Sequence, residues 1–266
     1  MYRINYLEKF VTFSLHFRLV VKCCNMKRIY IAILSLIMVS SVIAQDVKTV
    51  VNDPNAELRI VANFTGIKVS GGIGVYISQG KENAVAVSCS DEKHNNKIVT
   101  EVKNGVLNIY VEKGAWNGWN WKGVTVKAYI TVQQLEKLDA SGASAVKIVE
   151  GLKVDFLKID LSGASVLKGR VEATSLKLDA SGASSISLTG KSNTVSIDLS
   201  GASVLKAYEF EIENCKVEAS GASSLGIHVS KQLDVEASGA SSIRYIGEPT
   251  IKQISVTGSS SVKPKG

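Results

Sequence analysis

The sequence predicts an all-β protein whose chain winds into a parallel β-helix, or solenoid, of repeats about twenty residues long. Two observations predict this fold. The tetrapeptide Ser-Gly-Ala-Ser occurs six times at nearly constant intervals. Around each copy, apolar and polar residues alternate with a period of two, which is typical of a strand with one buried face. Repeats of this kind bury their apolar sides against their neighbours in a stack.

The repeated tetrapeptide is predicted to form a corner of each coil. Glycine suits a corner because it accepts a positive φ and lets two backbones approach closely. The last serine of the motif can hydrogen-bond along the stack or to the backbone of the turn. We therefore predict structural turns at Gly142, Gly163, Gly182, Gly201, Gly221, Gly239 and, in a degenerate seventh copy, Gly258. Successive glycines lie 21, 19, 19, 20, 18 and 19 residues apart, so the corners are expected to stack.

The residue that precedes each corner alternates in size between repeats. It is alanine or leucine in turn, as in Ala140, Leu161 and Ala180. Large side chains beside small ones in adjacent layers fill a narrow core without voids. This pattern favours one repeat per coil, with two repeats per coil as the alternative.

Two charged columns are predicted on the outward face of the strand that enters each corner. Carboxylates occupy Asp139, Asp160, Asp179, Asp198, Glu218 and Glu236, and lysines recur two residues upstream, as at Lys137, Lys158 and Lys177. Neighbouring lysines screen stacked carboxylates at a modest gain. Aligned carboxylates can also bind calcium, but the glycine- and aspartate-rich nonapeptide of calcium-binding β-rolls is missing. We therefore predict no metal site and no cofactor.

Residues 26–44 have the features of a signal peptide. Lys27 and Arg28 form a basic head, Ile29–Ile43 is almost wholly apolar, and small residues precede the predicted cleavage site after position 44. A transmembrane anchor is the alternative, although this apolar run is short for a span of roughly 20 residues. Residues 1–25 are predicted to be an upstream extension, with the start codon left open. The protein is expected to be exported to the periplasm, the outer surface or the medium, without stable membrane insertion after cleavage.

The basic charge of the chain belongs mainly to this leader. Residues 1–44 hold six of the 31 Lys and Arg residues and one of the 24 Asp and Glu residues, so the rest of the chain has a net charge of +2. Nucleic-acid binding therefore has no compositional support. Beyond the leader only Cys89 and Cys215 remain, both in phase with apolar neighbours. They are predicted to be buried thiols, with a disulfide between them as the alternative.

The chain is predicted to contain one continuous domain, residues 62–248. Its regular repeats span residues 136–262, and residues 62–135 form a less regular cap of the same architecture. The cap holds all three tryptophans of the chain, in a turn rich in Asn and Gly. Two interpretations of this turn stay open. The rings plug the end of the solenoid, or a binding surface for a glycan or an envelope or host surface protein is formed by Trp116, Asn117, Trp119, Asn120 and Trp121.

The Ser-Gly repeat, the strand and bend at Val69-Ser70-Gly71-Gly72 and the segment from Asn104-Gly105 to Trp119-Asn120-Trp121 together resemble a known family. It is the head (GIN) domain family of autotransporter adhesins, exported proteins of Gram-negative bacteria. The resemblance implies a β-helical superhelix with tight Ser-Gly turns, a shape like that of pectin lyases without their catalytic residues, and a role in adhesion. Only Ser259–Gly266 follow the last corner, so no translocator barrel, sorting domain or anchor is expected.

Three function classes remain in competition. A non-catalytic binding or adhesion module fits the regular repeat and the aromatic loop, and a structural envelope protein without a ligand fits them equally well. A polysaccharide-active enzyme is disfavoured, because Arg59, Arg170 and Arg244 are dispersed and the carboxylates form one regular column. We therefore predict that the protein is not an enzyme, and leave its oligomeric state open.

Overall fold

The computed structural model describes residues 53–112, 121 and 123–265. The predicted upstream extension, the predicted signal peptide and residues 116–120 of the aromatic loop lie outside these described residues. Within them, no helix is long and apolar enough to cross a membrane. The described chain contains one short 3-10 helix and 17 strands joined in a single continuous sheet.

The cap and the repeats divide the strands between them. The cap holds β1 (Ala56–Arg59), β2 (Gly66–Ser70), β3 (Ile73–Gln79), β4 (Ala84–Cys89), the 3-10 helix (Glu92–Lys97), β5 (Ile98–Lys103), β6 (Val106–Val111) and β7 (Val126–Val132). The repeats hold β8 (Lys137–Ser141), β9 (Ala145–Ile148), β10 (Leu152–Leu161), β11 (Val166–Ala180), β12 (Ser185–Leu199), β13 (Val204–Ala219), β14 (Ser224–Ala237), β15 (Ser242–Ile246), β16 (Thr250–Val256) and β17 (Ser261–Pro264).

Each repeat pairs in parallel with the next, so one repeat makes one coil. Leu161 lies opposite Ala180, which in turn lies opposite Leu199 in the following layer. The alternation of alanine and leucine therefore places a large side chain next to a small one in the core. The apolar inward columns are buried from Leu138 through Ile243, which confirms the predicted parity, whereas Ile254 and Val256 of the last layer are exposed.

Both cysteines of the described chain are buried free thiols. Cys215 lies on the inward face of β13, where burial raises the pKa of its thiol to about 12. Such a thiol is neutral at physiological pH and packs as a small apolar side chain.

The cap is a mixture of solenoid layers and antiparallel strands. β2 and β3 form a layer directly beneath the first repeat, because β2 pairs in parallel with β8 and β3 with β9. β6 and β7 add one further parallel layer. In contrast, β4 pairs antiparallel with β1 and β7, and β5 pairs antiparallel with β6 through the Asn104-Gly105 hairpin. These antiparallel strands cover the amino-terminal edge of the stack, which would otherwise be open to pairing.

The Ser-Gly-Ala-Ser corners stack glycine on glycine. All seven corner glycines have φ between +68° and +76°. The N–H of the residue after each later corner glycine, alanine in five corners and Ser259 in the last, donates to the glycine carbonyl of the previous corner, as from Ala183 to Gly163 at 2.8 Å. A Cβ atom on Gly182 would lie 2.5 Å from that same Gly163 oxygen. Glycine is therefore required both by its φ and by the close approach of the next layer.

The last serine of each corner is buried and bonds within its own turn. In all six Ser-Gly-Ala-Ser copies its Oγ donates to the carbonyl of the first serine, at 2.7–2.9 Å. Of the two predicted roles, these six serines show bonding to the turn backbone, whereas the Oγ of Ser260 in the degenerate seventh corner accepts from the Ser241 N–H of the previous layer. The corner serines are consequently occupied by the scaffold.

The requirement for glycine separates into two components that substitution can measure. Gly182→Ala adds a Cβ that meets the carbonyl of Gly163, whereas Gly72→Ala has the same φ of +72° and nothing within 4 Å of the added atom. We expect Gly72→Ala to lower the free energy of unfolding by about 1–2 kcal/mol, the usual cost of that backbone region, and Gly182→Ala to lower it clearly more. Urea denaturation followed by circular dichroism measures both, and equal losses would contradict the stacking argument.

Candidate functional site

A groove runs along the strands that enter the corners, and the predicted carboxylate column lines it. Asp139, Asp160, Asp179 and Asp198 share this hollow of about 490 Å³ with Lys68 of the cap and with corner serines. Register places the carboxylates in adjacent layers, which brings like charges about 4.8 Å apart. The predicted outward column is therefore present as a continuous surface feature.

The lysines two residues upstream neutralise most of this column. Lys158 is the clearest case, since its ammonium lies 3.0 Å from Asp160 and 3.5 Å from Asp179 of the next layer. Similar pairs join Lys137 to Asp139, Lys177 to Asp179 and Lys216 to Glu218. Four of the six carboxylates in the column are therefore paired within the protein, whereas no ion pair among the described residues involves Asp198 or Glu236.

Neighbouring carboxyls in the groove differ in their affinity for protons. Burial, reinforced by a hydrogen bond with Asp160, raises the pKa of Asp139, and the same two causes raise the pKa of Asp179. Although burial opposes it, hydrogen bonds with Lys158 and with both neighbouring carboxyls hold the pKa of Asp160 below its usual range. Asp160 therefore loses its proton at a lower pH than the two carboxyls on either side of it.

A second groove, of about 630 Å³, is rich in side-chain amides. Gln79, Gln133, Gln134 and Asn193 line it together with Lys153, Glu172 and Lys191. The Gln79 amide is engaged by the scaffold, because its Oε1 accepts from the backbone N–H of Lys153 and its Nε2 donates to two backbone carbonyls. Its neighbours Gln133 and Gln134 offer further amides at the same surface.

The structure describes one of the five residues of the predicted aromatic site. Trp121 is buried, with 8% of its surface exposed, and its ring lies 4.4 Å from the His94 imidazole. Trp121 therefore packs within the cap and offers no face to a ligand. Trp116, Asn117, Trp119 and Asn120 lie outside the described residues, so the binding surface stays a prediction for those four.

One set of exposed residues was missed by the sequence-based prediction. The third residue after the final serine of a corner is basic in five layers, and register aligns the five in one column. We call it the basic column, and it consists of Lys147, Lys168, Lys206, Arg244 and Lys263. Its fixed offset from the motif is visible in the sequence, but its freedom from partners is visible only in three dimensions.

Comparisons with known proteins agree on the fold. The family described as "Putative auto-transporter adhesin, head GIN domain" matches residues 63–249. Among curated proteins, none matches the sequence.

Solved structures with this fold include three bacterial proteins, each described as a "putative adhesin". The one from Bacteroides fragilis has a TM-score of 0.71 at 20% identity, over 79% of this chain and 96% of its own. The one from Parabacteroides distasonis has a TM-score of 0.63 at 20% identity, over 79% of this chain and 96% of its own. The one from Parabacteroides merdae has a TM-score of 0.62 at 18% identity, over 79% of this chain and 95% of its own.

The raised pKa of Asp139 generates a prediction about pH and stability. A group that holds its proton more readily in the folded state stabilises the fold when protonated, and this contribution is lost as pH rises through its folded pKa. Asp139→Asn removes that loss while it keeps the shape of the side chain. As pH rises from 4 to 7, the wild type is expected to lose stability that the variant keeps. The difference in free energy of unfolding, variant minus wild type, should therefore increase by about 1 kcal/mol, comparable to one hydrogen bond. A difference that does not change with pH would refute the assignment.

Substitution of Trp121 and of Trp119 distinguishes the two interpretations of the aromatic loop, a binding surface and a plug. Trp121→Ala removes a large buried ring and is expected to lower the free energy of unfolding by about 3–5 kcal/mol. Trp119→Ala is its companion variant. If the loop binds a ligand through Trp119, this variant keeps the wild-type melting temperature and binds more weakly, whereas a plug would lose stability in both variants.

Proposed function

The chain belongs to the family of the auto-transporter adhesin head GIN domain, and from that premise we propose that it is a non-catalytic module that adheres to a surface component through its exterior. Family membership supports a role in adhesion and an exported or surface location. The proposal goes further in two respects, since it places binding on the repeated outer face and assigns the protein no reaction.

The single observation that carries this proposal is the repetition of exposed groups at corresponding positions of successive layers. In-register pairing turns each outward position into a column of similar side chains with a spacing of about 4.8 Å. Weak contacts of the same kind, repeated on a rigid frame, add up to strong attachment without a deep pocket. Both grooves described above are open channels of this type.

One observation favours a second candidate, a polysaccharide-active enzyme. The pKa values of Asp139 and Asp160 are displaced in opposite directions, which is the relation expected between a general acid and its partner. However, lysines bridge these carboxylates within and between layers, and the same arrangement continues at Lys216 and Glu218. Such repetition supports a stacking role, because catalysis needs one irregular constellation.

Adhesion is tested by coating beads with the purified protein and measuring their retention on bacterial envelopes, host-cell surfaces and a glycan array. We expect retention on at least one of these surfaces, and beads coated with urea-unfolded protein serve as the control. Absence of retention on all of them would contradict the proposal and favour the envelope structural protein.

The enzyme alternative has its own readout. The protein is incubated with the polysaccharides that retain it, and new reducing ends are measured, with Asp160→Asn as the matched variant. No release is expected from either form. Release by the wild type that is lost in Asp160→Asn would overturn the non-catalytic assignment.

A further inference from the structure

We propose that the basic column binds a linear acidic polysaccharide that lies parallel to the solenoid axis. The inference rests on the proposed adhesion function and names the face and the chemical class of the ligand. The column runs along the strands that leave the corners, whereas the carboxylate column runs along the strands that enter them.

The five cations of the column are exposed and have no counter-ion. None of the ion pairs found among the described residues involves Lys147, Lys168, Lys206, Arg244 or Lys263. All five side chains are open to solvent. The column is therefore a strip of positive charge that a ligand can reach.

Elsewhere this protein pairs most of the charges that it stacks. Lysines interleave with the carboxylate column, as described above. On the outward face near the amide groove, Lys153, Glu172 and Lys191 occupy successive layers, so opposite charges alternate. Like charges directly opposite each other on neighbouring strands are destabilising, and in the basic column Lys147 lies opposite Lys168 and Arg244 opposite Lys263. The carboxylate column carries the same cost, but lysines pair with four of its six members. Among the described residues no carboxylate pairs with the basic column, and this difference indicates that these cations serve a ligand.

The gaps in the column are small, and one of them is filled from a neighbouring position. Where the column carries Gly226, the ring of Tyr208 lies against that glycine, and the Lys265 ammonium sits 3.9 Å above the ring. Lys265 thus supplies a cation at the layer where the column has a glycine instead of a basic residue. Only Ser187 interrupts the charge, and the whole strip from Lys147 to Lys263 extends for roughly 29 Å, six layer spacings.

The surface beside the column is flat enough for an extended chain to lie on it. The neighbouring outward column, two residues closer to the corner, contains no side chain larger than valine, as at Ala145, Val166 and Ser185. At the cap end, the basic column continues into the stacked rings of Tyr76 and Tyr129, whose centroids are 5.3 Å apart. Small side chains admit a pyranose chain, and aromatic rings at one end are a suitable contact for a sugar face.

The shape of the strip favours a polysaccharide over other polyanions. Its width is a single residue, which matches one anionic chain, and an extended glycan advances by about one layer spacing per sugar. A membrane-binding surface would place large apolar side chains beside the lysines, and this neighbouring column has none. A single-stranded nucleic acid would call for aromatic rings interspersed among the cations to stack its bases. Here the tyrosine pair lies beyond one end of the strip and Tyr208 is covered by Lys265.

The test compares two variants with the same change in net charge. In the first, Lys147, Lys168, Lys206 and Arg244 are all replaced by Gln; in the second, the exposed lysines Lys93, Lys97, Lys231 and Lys252, which line neither groove, are replaced by Gln. Binding to polygalacturonate, to a sulfated glycan and to neutral dextran is measured by biolayer interferometry. Circular dichroism melting curves confirm that both variants fold.

We expect the wild type to bind the two acidic glycans and not dextran, with an affinity that falls as salt rises toward about 150 mM. The first variant should lose at least about tenfold in affinity and the second much less. Equal losses in both variants, or tighter binding to a single-stranded oligonucleotide or to phosphatidylglycerol vesicles, would overturn the inference. If the protein adheres to surfaces but binds no acidic glycan, this inference fails while the adhesion function stands; if it adheres to nothing, the function itself fails.

Discussion

The structure depends on the hydrogen bond between stacked glycine corners. In each corner but the last, the glycine carbonyl accepts from the N–H of the residue after the next corner glycine, which is alanine or, in the final layer, Ser259, at 2.7–2.8 Å. No Cβ atom can stand between the two backbones. This contact locks the register of successive coils at one point, so every residue at a given distance from its corner falls into the same column. The apolar core, the carboxylate column and the basic column all follow from that single constraint.

Because the register is fixed, equivalent side chains of successive layers lie next to each other. The core and the two outer surfaces accommodate these neighbours in different ways. Inside, leucine and alanine alternate between layers, which keeps the narrow core filled. On the strands that enter the corners, lysines separate the carboxylates and the pKa of Asp160 stays low between two neighbours of raised pKa. On the strands that leave the corners, cations stack without partners. The same geometry therefore produces a structural surface on one side of the corner and a charged, accessible one on the other.

The two ends of the stack are also treated differently. At the amino-terminal end, antiparallel strands of the cap cover the parallel layers, and Trp121 packs there against His94. At the carboxy-terminal end, β16 leaves Ile251, Ile254 and Val256 exposed, while the neighbouring β17 carries Lys263 and Pro264, residues that discourage further pairing. The stack is thus closed at one end and only partly protected at the other.

The sequence by itself determined the fold class, the corners, the strand parity and the carboxylate column. Each of these features repeats with the motif. A pattern that recurs at a constant interval shows which residues will lie opposite each other when the coils stack. It also contained the basic column, at a fixed offset of three residues from the final serine of the corner, although nothing in the sequence distinguishes a paired lysine such as Lys158 from an unpaired one such as Lys168.

Only the tertiary structure decided the antiparallel pairing of β4 with β1 and β7, the burial of Trp121 and the opposite pKa shifts of Asp139 and Asp160. The physical reason is the same in each case. These features arise from contacts between segments that are unlike each other and far apart in the chain, and such contacts have no period to reveal them. A buried ring or a displaced pKa depends on which atoms surround it, and that environment exists only after the layers have stacked.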